Sequence, residues 1–148
     1  MSDIGTLGEM LVAKWLQSQN YSLLQQNWRC RWGEIDLIAQ ELTSGAIAFV
    51  EVKTRSQFNW DENGLLAVNA TKQAKIITTA EMFLAKYPNL AEFPCRFDVA
   101  LVSYVIPRPL DSLDPLECKE NVLDLGVPVL IDKYQLTIEN YLKSAFET

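Results

Sequence analysis

At 148 residues with 49% hydrophobic side chains, the chain has the length of one domain and enough apolar surface for a real core. It contains no histidine, which excludes His-based triads, His general bases and Cys/His zinc centres. Thirteen basic against nineteen acidic residues give a net charge of −6 and a pI near 4.6, which excludes a uniformly cationic nucleic-acid binder. The acidity is uneven: residues 1–106 hold 9 basic and 11 acidic side chains, whereas residues 107–148 hold 4 and 8. A local basic rim therefore survives an acidic total.

Three cysteines, Cys30, Cys95 and Cys118, are widely spaced with no C-x-x-C, and are expected to be reduced, semi-buried bystanders. No apolar run reaches about 18 residues, and the opening MSDIGTLGEM lacks the regions of a signal peptide. A cytoplasmic protein that does not enter membranes is expected.

In chain order, residues 2–18 predict an amphipathic helix, with Ser2 or Asp3 as N-cap and a stripe of Ile4, Leu7, Leu11, Val12, Trp15 and Leu16. Glu9 falls on the edge of that stripe beside Gly8, with Gly5 nearby, so the helix could be approached closely there. Gln19 and Asn20 end the helix, and Tyr21–Cys30 is expected to be extended.

Two apolar, β-branched runs follow, EIDLIA and AIAFVEV, and each carries carboxylates where a buried strand normally holds only hydrophobes. Alternation in the first places Ile35 and Leu37 on one face and Glu34, Asp36 and Ile38 on the other. In the second, Glu51 and Lys53 share a face while Val50 and Val52 point into the core. Antiparallel pairing of Ile38 with Phe49 and Gln40 with Ile47 closes a loop of residues 41–46 and sets Asp36 opposite Glu51, with Cβ atoms roughly 4.5–5.5 Å apart. Like charges so placed repel unless something neutralises them, and carboxylate oxygens suit a hard divalent ion such as Mg²⁺ or Mn²⁺. Lys53 lies beside them to orient water or steady developing phosphate charge. Metal-dependent phosphodiester hydrolysis is the reaction class this pattern suggests; a cross-strand ion-pair ladder on a half-solvated sheet is the plain alternative.

Phe58–Gly64 is expected to be a loop with two aromatics, packing or stacking on an unpaired base. Residues 69–87 predict a second helix, with Lys72 and Lys75 on one face and Ile76, Thr79, Ala80 and Phe83 on another. Cys95–Val105 predicts a third central strand in which Asp98, beside Arg96, is structural. Residues 107–131 predict an acidic, proline-bearing insertion, a loop or flap in which GVPVLI could supply an edge strand. Gln135–Phe146 is expected to close the single domain, residues 1–148, as a helix.

The runs GTLGEMLVAKWL, NWRCRWGEIDLIA, FVEVKTR, AVNATKQAKI and RFDVALV, with the D…E-x-K spacing of Asp36, Glu51 and Lys53, resemble the YraN family within the PD-(D/E)XK nuclease superfamily, relatives of archaeal Holliday-junction resolvases. The likeness covers residues 5 to about 105, and IENYLKSAF resembles the family's last helix. It implies a restriction-endonuclease-like α/β domain whose mixed central sheet is flanked by helices. It further implies Asp36, Glu51 and the Val52 carbonyl as ligands of Mg²⁺ or Mn²⁺, Lys53 as the catalytic lysine, and Glu9 as a carboxylate that completes the metal site or positions water. Arg31, Arg55 and Lys72 would contact phosphates of DNA, with branched or flapped structures as candidate substrates, so metal-dependent endonuclease is the function the resemblance implies. A non-catalytic nucleic-acid-binding or partner-recruiting module in DNA repair, recombination or uptake is the alternative. A homodimer and a protein partner for the acidic C-terminal region are further expectations. Asn20 stands where the family usually has glycine.

Overall fold

The computed structural model describes residues 3–56, 68–107 and 123–147. Helix α1 (Ile4–Ser18) starts where Asp3 takes an extended conformation and its carboxylate accepts the Thr6 N–H at 2.8 Å, satisfying one of the free donors of the first turn. It buries Leu7, Leu11, Val12, Trp15 and Leu16, the expected stripe without Ile4, which packs partly buried at its margin. Asn20 turns the chain with φ of 69°, a left-handed conformation that asparagine tolerates and that glycine would also accept.

Strands β1 (Tyr21–Cys30), β2 (Gly33–Glu41) and β3 (Ile47–Ser56) form an antiparallel meander. The β2–β3 register pairs Ile38 with Phe49 and Gln40 with Ile47, as the apolar pattern required. Helix α2 (Ala70–Lys86), capped by Asn69, crosses over to β4 (Cys95–Val105), which runs parallel to β3 from Ile47↔Cys95 to Ser56↔Tyr104. β6 (Tyr134–Phe146) pairs antiparallel with β4, and β5 (Val129–Ile131) adds an edge to β6. The described residues thus make one six-stranded mixed sheet in the order β1-β2-β3-β4-β6-β5. Its two faces are covered by separate cores. α1 packs on Leu37, Ala39, Ala48, Val50, Val52, Ala100, Val102, Leu136 and Ile138. α2 brings Ile76, Ala80 and Phe83 onto Ile35, Ile38, Ile47, Phe49, Phe97, Val99 and Leu101.

Several expectations need correction. The C-terminal segment is a strand, not a helix. In β6 the buried side chains run Leu136, Ile138, Tyr141 and Phe146, and a register irregularity opposite Leu101 and Val102 changes the phase of the alternation after Ile138. The resulting three-residue step from Ile138 to Tyr141 imitates a helical repeat, although the segment's backbone bonds go to β4. Ile35 and Leu37 do not share a face: Ile35 packs with the α2 core and Leu37 with the α1 core. The break lies at Asp36. β1 pairs Gln26 with Leu37 and Trp28 with Ile35, but Asn27, between them, has φ of 50° and makes no ladder pair with Asp36. Cys95 is exposed rather than semi-buried, Cys30 is half-buried, and both are free thiols. Cys118, the Phe58–Gly64 loop and residues 108–122 of the expected insertion lie outside the described residues. Of the remainder of that insertion, GVPVLI does end in an edge strand, β5.

Asp98 is structural, as expected from its neighbour. It is fully buried, and its carboxylate accepts from Arg96 Nε at 3.0 and 3.1 Å, Tyr141 Oη at 2.6 Å and the Ser144 N–H at 2.9 Å. Arg96 continues to Glu41 Oε1 at 3.2 Å and to the Tyr21 hydroxyl. Burial and the Asp98 charge push the Tyr141 phenol upward and keep it a donor. Four strands are joined through this one carboxylate and its guanidinium.

Candidate metal centre

The β2–β3 ladder ends at Leu37↔Val50, although the same register would carry it one step further to Asp36 and Glu51. There the strands part, and the Val52 N–H donates instead to Asp36 Oδ2 at 2.8 Å. A side chain has replaced a strand partner, which fixes the Asp36 carboxyl at the place where β3 leaves β2. Glu51 alternates with Val50 and Val52, so it emerges toward the α2 side of the sheet. Both carboxyls are buried, Asp36 at 8% and Glu51 at 6% exposure.

Burial and then the neighbouring Glu51 charge push Asp36 up to about 8, against the lowering effect of the Val52 N–H. Such a carboxyl marks a place short of positive charge. The donor set is all oxygen, with one Asp36 oxygen engaged by Val52; this suits a hard divalent cation better than a thiophilic one. Among the described residues, however, no three His, Cys, Asp or Glu side chains are grouped as the ligands of one ion would be. The protein side of such a centre is therefore two carboxylates and whatever backbone oxygen joins them, and Glu9 lies at the margin.

Two lysines flank the carboxylates. Lys72, in the first turn of α2, places Nζ 3.1 Å from Glu51 Oε1. Burial alone would lower its pKa, but the Glu51 carboxylate outweighs that and raises it. Lys53 is half-buried, and burial followed by the nearby Lys72 charge lowers its pKa. The two ammonium groups are close enough to repel, and Lys72 is the one paired with Glu51.

Glu9 reaches the rim from α1. Burial raises its pKa, the Asn27 amide opposes that by hydrogen bonding, and Glu34 and Glu51 add repulsion. The helix comes this near because of Gly8: a Cβ there would lie 2.1 Å from Thr54 Oγ1 on β3. Of the residues expected to touch phosphate, only Lys72 is brought onto the carboxylates. Arg55 is exposed further along β3, and Arg31 is exposed at the β1–β2 turn, its guanidinium 5.0 Å over the Trp32 ring.

Two participants escaped the sequence reading. Asn27 stands across from Asp36 and beside Glu9, yet in YSLLQQNWRC it looks like one more polar strand residue; its only signal was that asparagine accepts a positive φ. Thr54 was invisible for the same kind of reason, since nothing local says that Gly8 will meet it.

The model of the uncharacterised protein family UPF0102 matches residues 8–102, which include Glu9, Asp36, Glu51, Lys53 and Lys72. The chain belongs to the UPF0102 family. This is the YraN grouping that the motifs resembled. Similar UPF0102 proteins are found in cyanobacteria: alr1796 of Nostoc sp. is 55% identical, the match covering 98% of this chain and 94% of the relative. The protein sll0189 of Synechocystis sp. is 46% identical over 99% of both chains. A UPF0102 protein of Trichodesmium erythraeum is 44% identical over 97% of this chain and 88% of its own. The UPF0102 match spans α1 to β4, so the elements that carry the carboxylates and lysines are those the family model describes. No helix among the described residues is long and apolar enough to cross a membrane.

Proposed function

We propose that this UPF0102 protein is a metal-dependent phosphodiesterase acting on DNA. The observation that carries the reading is the parting of β2 and β3 at Asp36 and Glu51, which gathers two buried carboxyls under two lysines. Asp36, Glu51 and the Val52 carbonyl would hold Mg²⁺ or Mn²⁺. When bound, such an ion supplies Lewis-acid polarisation of a phosphoryl oxygen and a lowered pKa for its water.

The chain's own groups then have separable tasks. Asp36 is locked in place by the Val52 N–H, with its carboxyl beside Glu51. Lys53 donates to the non-bridging phosphate oxygen as charge grows there; its half-buried position makes that contact stronger than one in open water. Glu9, whose pKa burial raises, orients the attacking water and takes its proton. Lys72 exchanges Glu51 for the adjacent phosphate once the carboxylate is otherwise neutralised. Arg55 and Arg31 extend the cationic track along the backbone of the polymer.

The test is cleavage of labelled junction, flap, single-stranded and duplex DNA in Mg²⁺ and in Mn²⁺. Wild type should cut at least one substrate, and Lys53→Ala should lower the rate by 10²-fold or more, as loss of one transition-state donor does. Equal rates for the two proteins would end the enzymatic reading. Paired cuts at a junction require two sites, so light scattering should find a dimer if junctions are the substrate.

The Lys72–Glu51 ion pair favours a second reading, because an ammonium already neutralises one carboxylate. In that case the protein is a non-catalytic nucleic-acid-binding or partner-recruiting module. Calorimetry separates the two: a nuclease centre binds Mn²⁺ and loses it in Asp36→Ala, whereas the module shows no such heat.

A further inference from the structure

The β1–β2 turn projects an indole that neither core uses. Trp32 is 49% exposed, whereas Trp15 is buried and Trp28 packs partly buried against the α2 core. Among the described residues no other aromatic ring stacks on it, and its ring is covered only by the Arg31 guanidinium at 5.0 Å. The turn is nonetheless well fixed. The Trp32 N–H donates to Cys30 Sγ at 3.4 Å, and Arg29 forms an ion pair with Glu34 across the hairpin. Gly33, at φ of 156°, sits so near α2 that a Cβ would stand 2.8 Å from Thr79 Oγ1 and 3.8 Å from the Lys75 carbonyl oxygen. An exposed aromatic ring is thus held on a fixed turn, with Arg29, Arg31 and Lys75 near it and the acid Glu34 paired to Arg29, in a protein whose net charge is −6.

That combination of open ring face and local positive charge suits an anionic polymer that also offers flat apolar faces. We propose that Trp32, backed by Arg31, is a stacking platform for an unpaired nucleobase, so that the site prefers DNA with a single-stranded or frayed segment. The proposal rests on the reading of the carboxylate centre as a DNA site. Asp36 lies four residue steps after Trp32, through the start of β2, at most roughly 13 Å at about 3.3 Å per residue. That equals about four base-pair steps of 3.4 Å, so a base held at Trp32 and a phosphate at Asp36 would belong to one short stretch of nucleic acid. Stacking is tolerant of base identity, because every base has a π-face, and it distinguishes unpaired from paired bases.

The test compares wild type, Trp32→Ala and Trp32→Phe as full chains, in Ca²⁺ without Mg²⁺ or Mn²⁺. The probes are an oligothymidylate of about 10 nucleotides, within the usual site size, and a duplex of equal length. The oligothymidylate should quench tryptophan emission of the wild type, and the Trp32-dependent part of that quenching should vanish in Trp32→Ala. Affinity for it should fall roughly tenfold in Trp32→Ala and stay within about threefold in Trp32→Phe, with duplex affinity equal in all three. Far-UV circular dichroism confirms that the variants fold. Equal affinity and equal quenching in Trp32→Ala would overturn the proposal while leaving the nuclease reading intact, and so would an equal loss on duplex. Failure to bind either DNA would also overturn it. Polyglutamate that quenches and competes as well as the oligonucleotide would assign the platform to an acidic peptide instead. Trp32-dependent binding with no cleavage in Mg²⁺ or Mn²⁺ would sink the nuclease reading alone.

Discussion

Asp36 carries a cost in the metal-free protein that its substitution should reveal. Its folded pKa of about 8 lies above the roughly 3.9 of an unfolded chain, so between those values the folded state binds the extra proton. Stability from this group is therefore full below about pH 4 and is lost as pH rises through 8. Without metal, urea unfolding should show the wild type weakening across that window relative to Asp36→Asn, which keeps an oxygen for the Val52 N–H. By pH 9 the difference should be on the order of a few kcal/mol in favour of the variant. Mn²⁺ should remove most of it in the wild type. A wild type and variant with parallel pH profiles would show that the two carboxyls do not oppose each other. The register that brings Asp36 near Glu51 was legible in the chain, because alternation and matched hydrophobes fix the hairpin through Leu37↔Val50, although the ladder stops there and Asp36 takes the Val52 N–H instead. Asn27 and the Lys72 contact were not, since one depends on a local kink in β1 and the other on where a crossover helix lands.

The seam between α1 and β3 is the tightest junction of elements near the site. Gly8 faces Thr54, whose hydroxyl is buried without a hydrogen-bond partner among the described groups. Gly8→Ala should force the helix off the strand, destabilising by about 1–3 kcal/mol as overpacking does, and should draw Glu9 away from the carboxylates. Thr54→Ala in the same chain should recover part of the loss. Thr54→Val alone should be neutral or stabilising by up to about 1 kcal/mol, because an orphaned hydroxyl is replaced by a methyl. Chemical denaturation of wild type, Gly8→Ala, Thr54→Ala and the double variant completes the cycle, with Thr54→Val measured beside it. Elements whose periodicity is unbroken, α1, β3, α2 and β4, are those the sequence made plain. β6 was misread for a physical reason: its irregularity inserts a three-residue step into a two-residue rhythm, and pattern alone cannot tell a bulged strand from a helical turn. The two-faced core explains why β3 reads as a continuous apolar run, since both of its sides are covered through Val52.

Across the molecule, the buried Asp98 holds together segments that are far apart in sequence. Tyr141→Phe removes one donor and should cost about 1–3 kcal/mol, whereas Asp98→Ala strands Arg96 in a half-buried place and should cost about 3–5 kcal/mol. Thermal unfolding measures both, and an Asp98→Ala protein as stable as Tyr141→Phe would remove the lock from the account. The lock also sets an order of events during synthesis. Tyr21 and Glu41 are made early, Arg96 and Asp98 late, and Tyr141 and Ser144 within the final eight residues of the chain. At a translation speed of about 5–20 residues per second, the nascent chain carries the open edge of β4, which ends at Val105, for several seconds before β6, Tyr134–Phe146, is made to cover it.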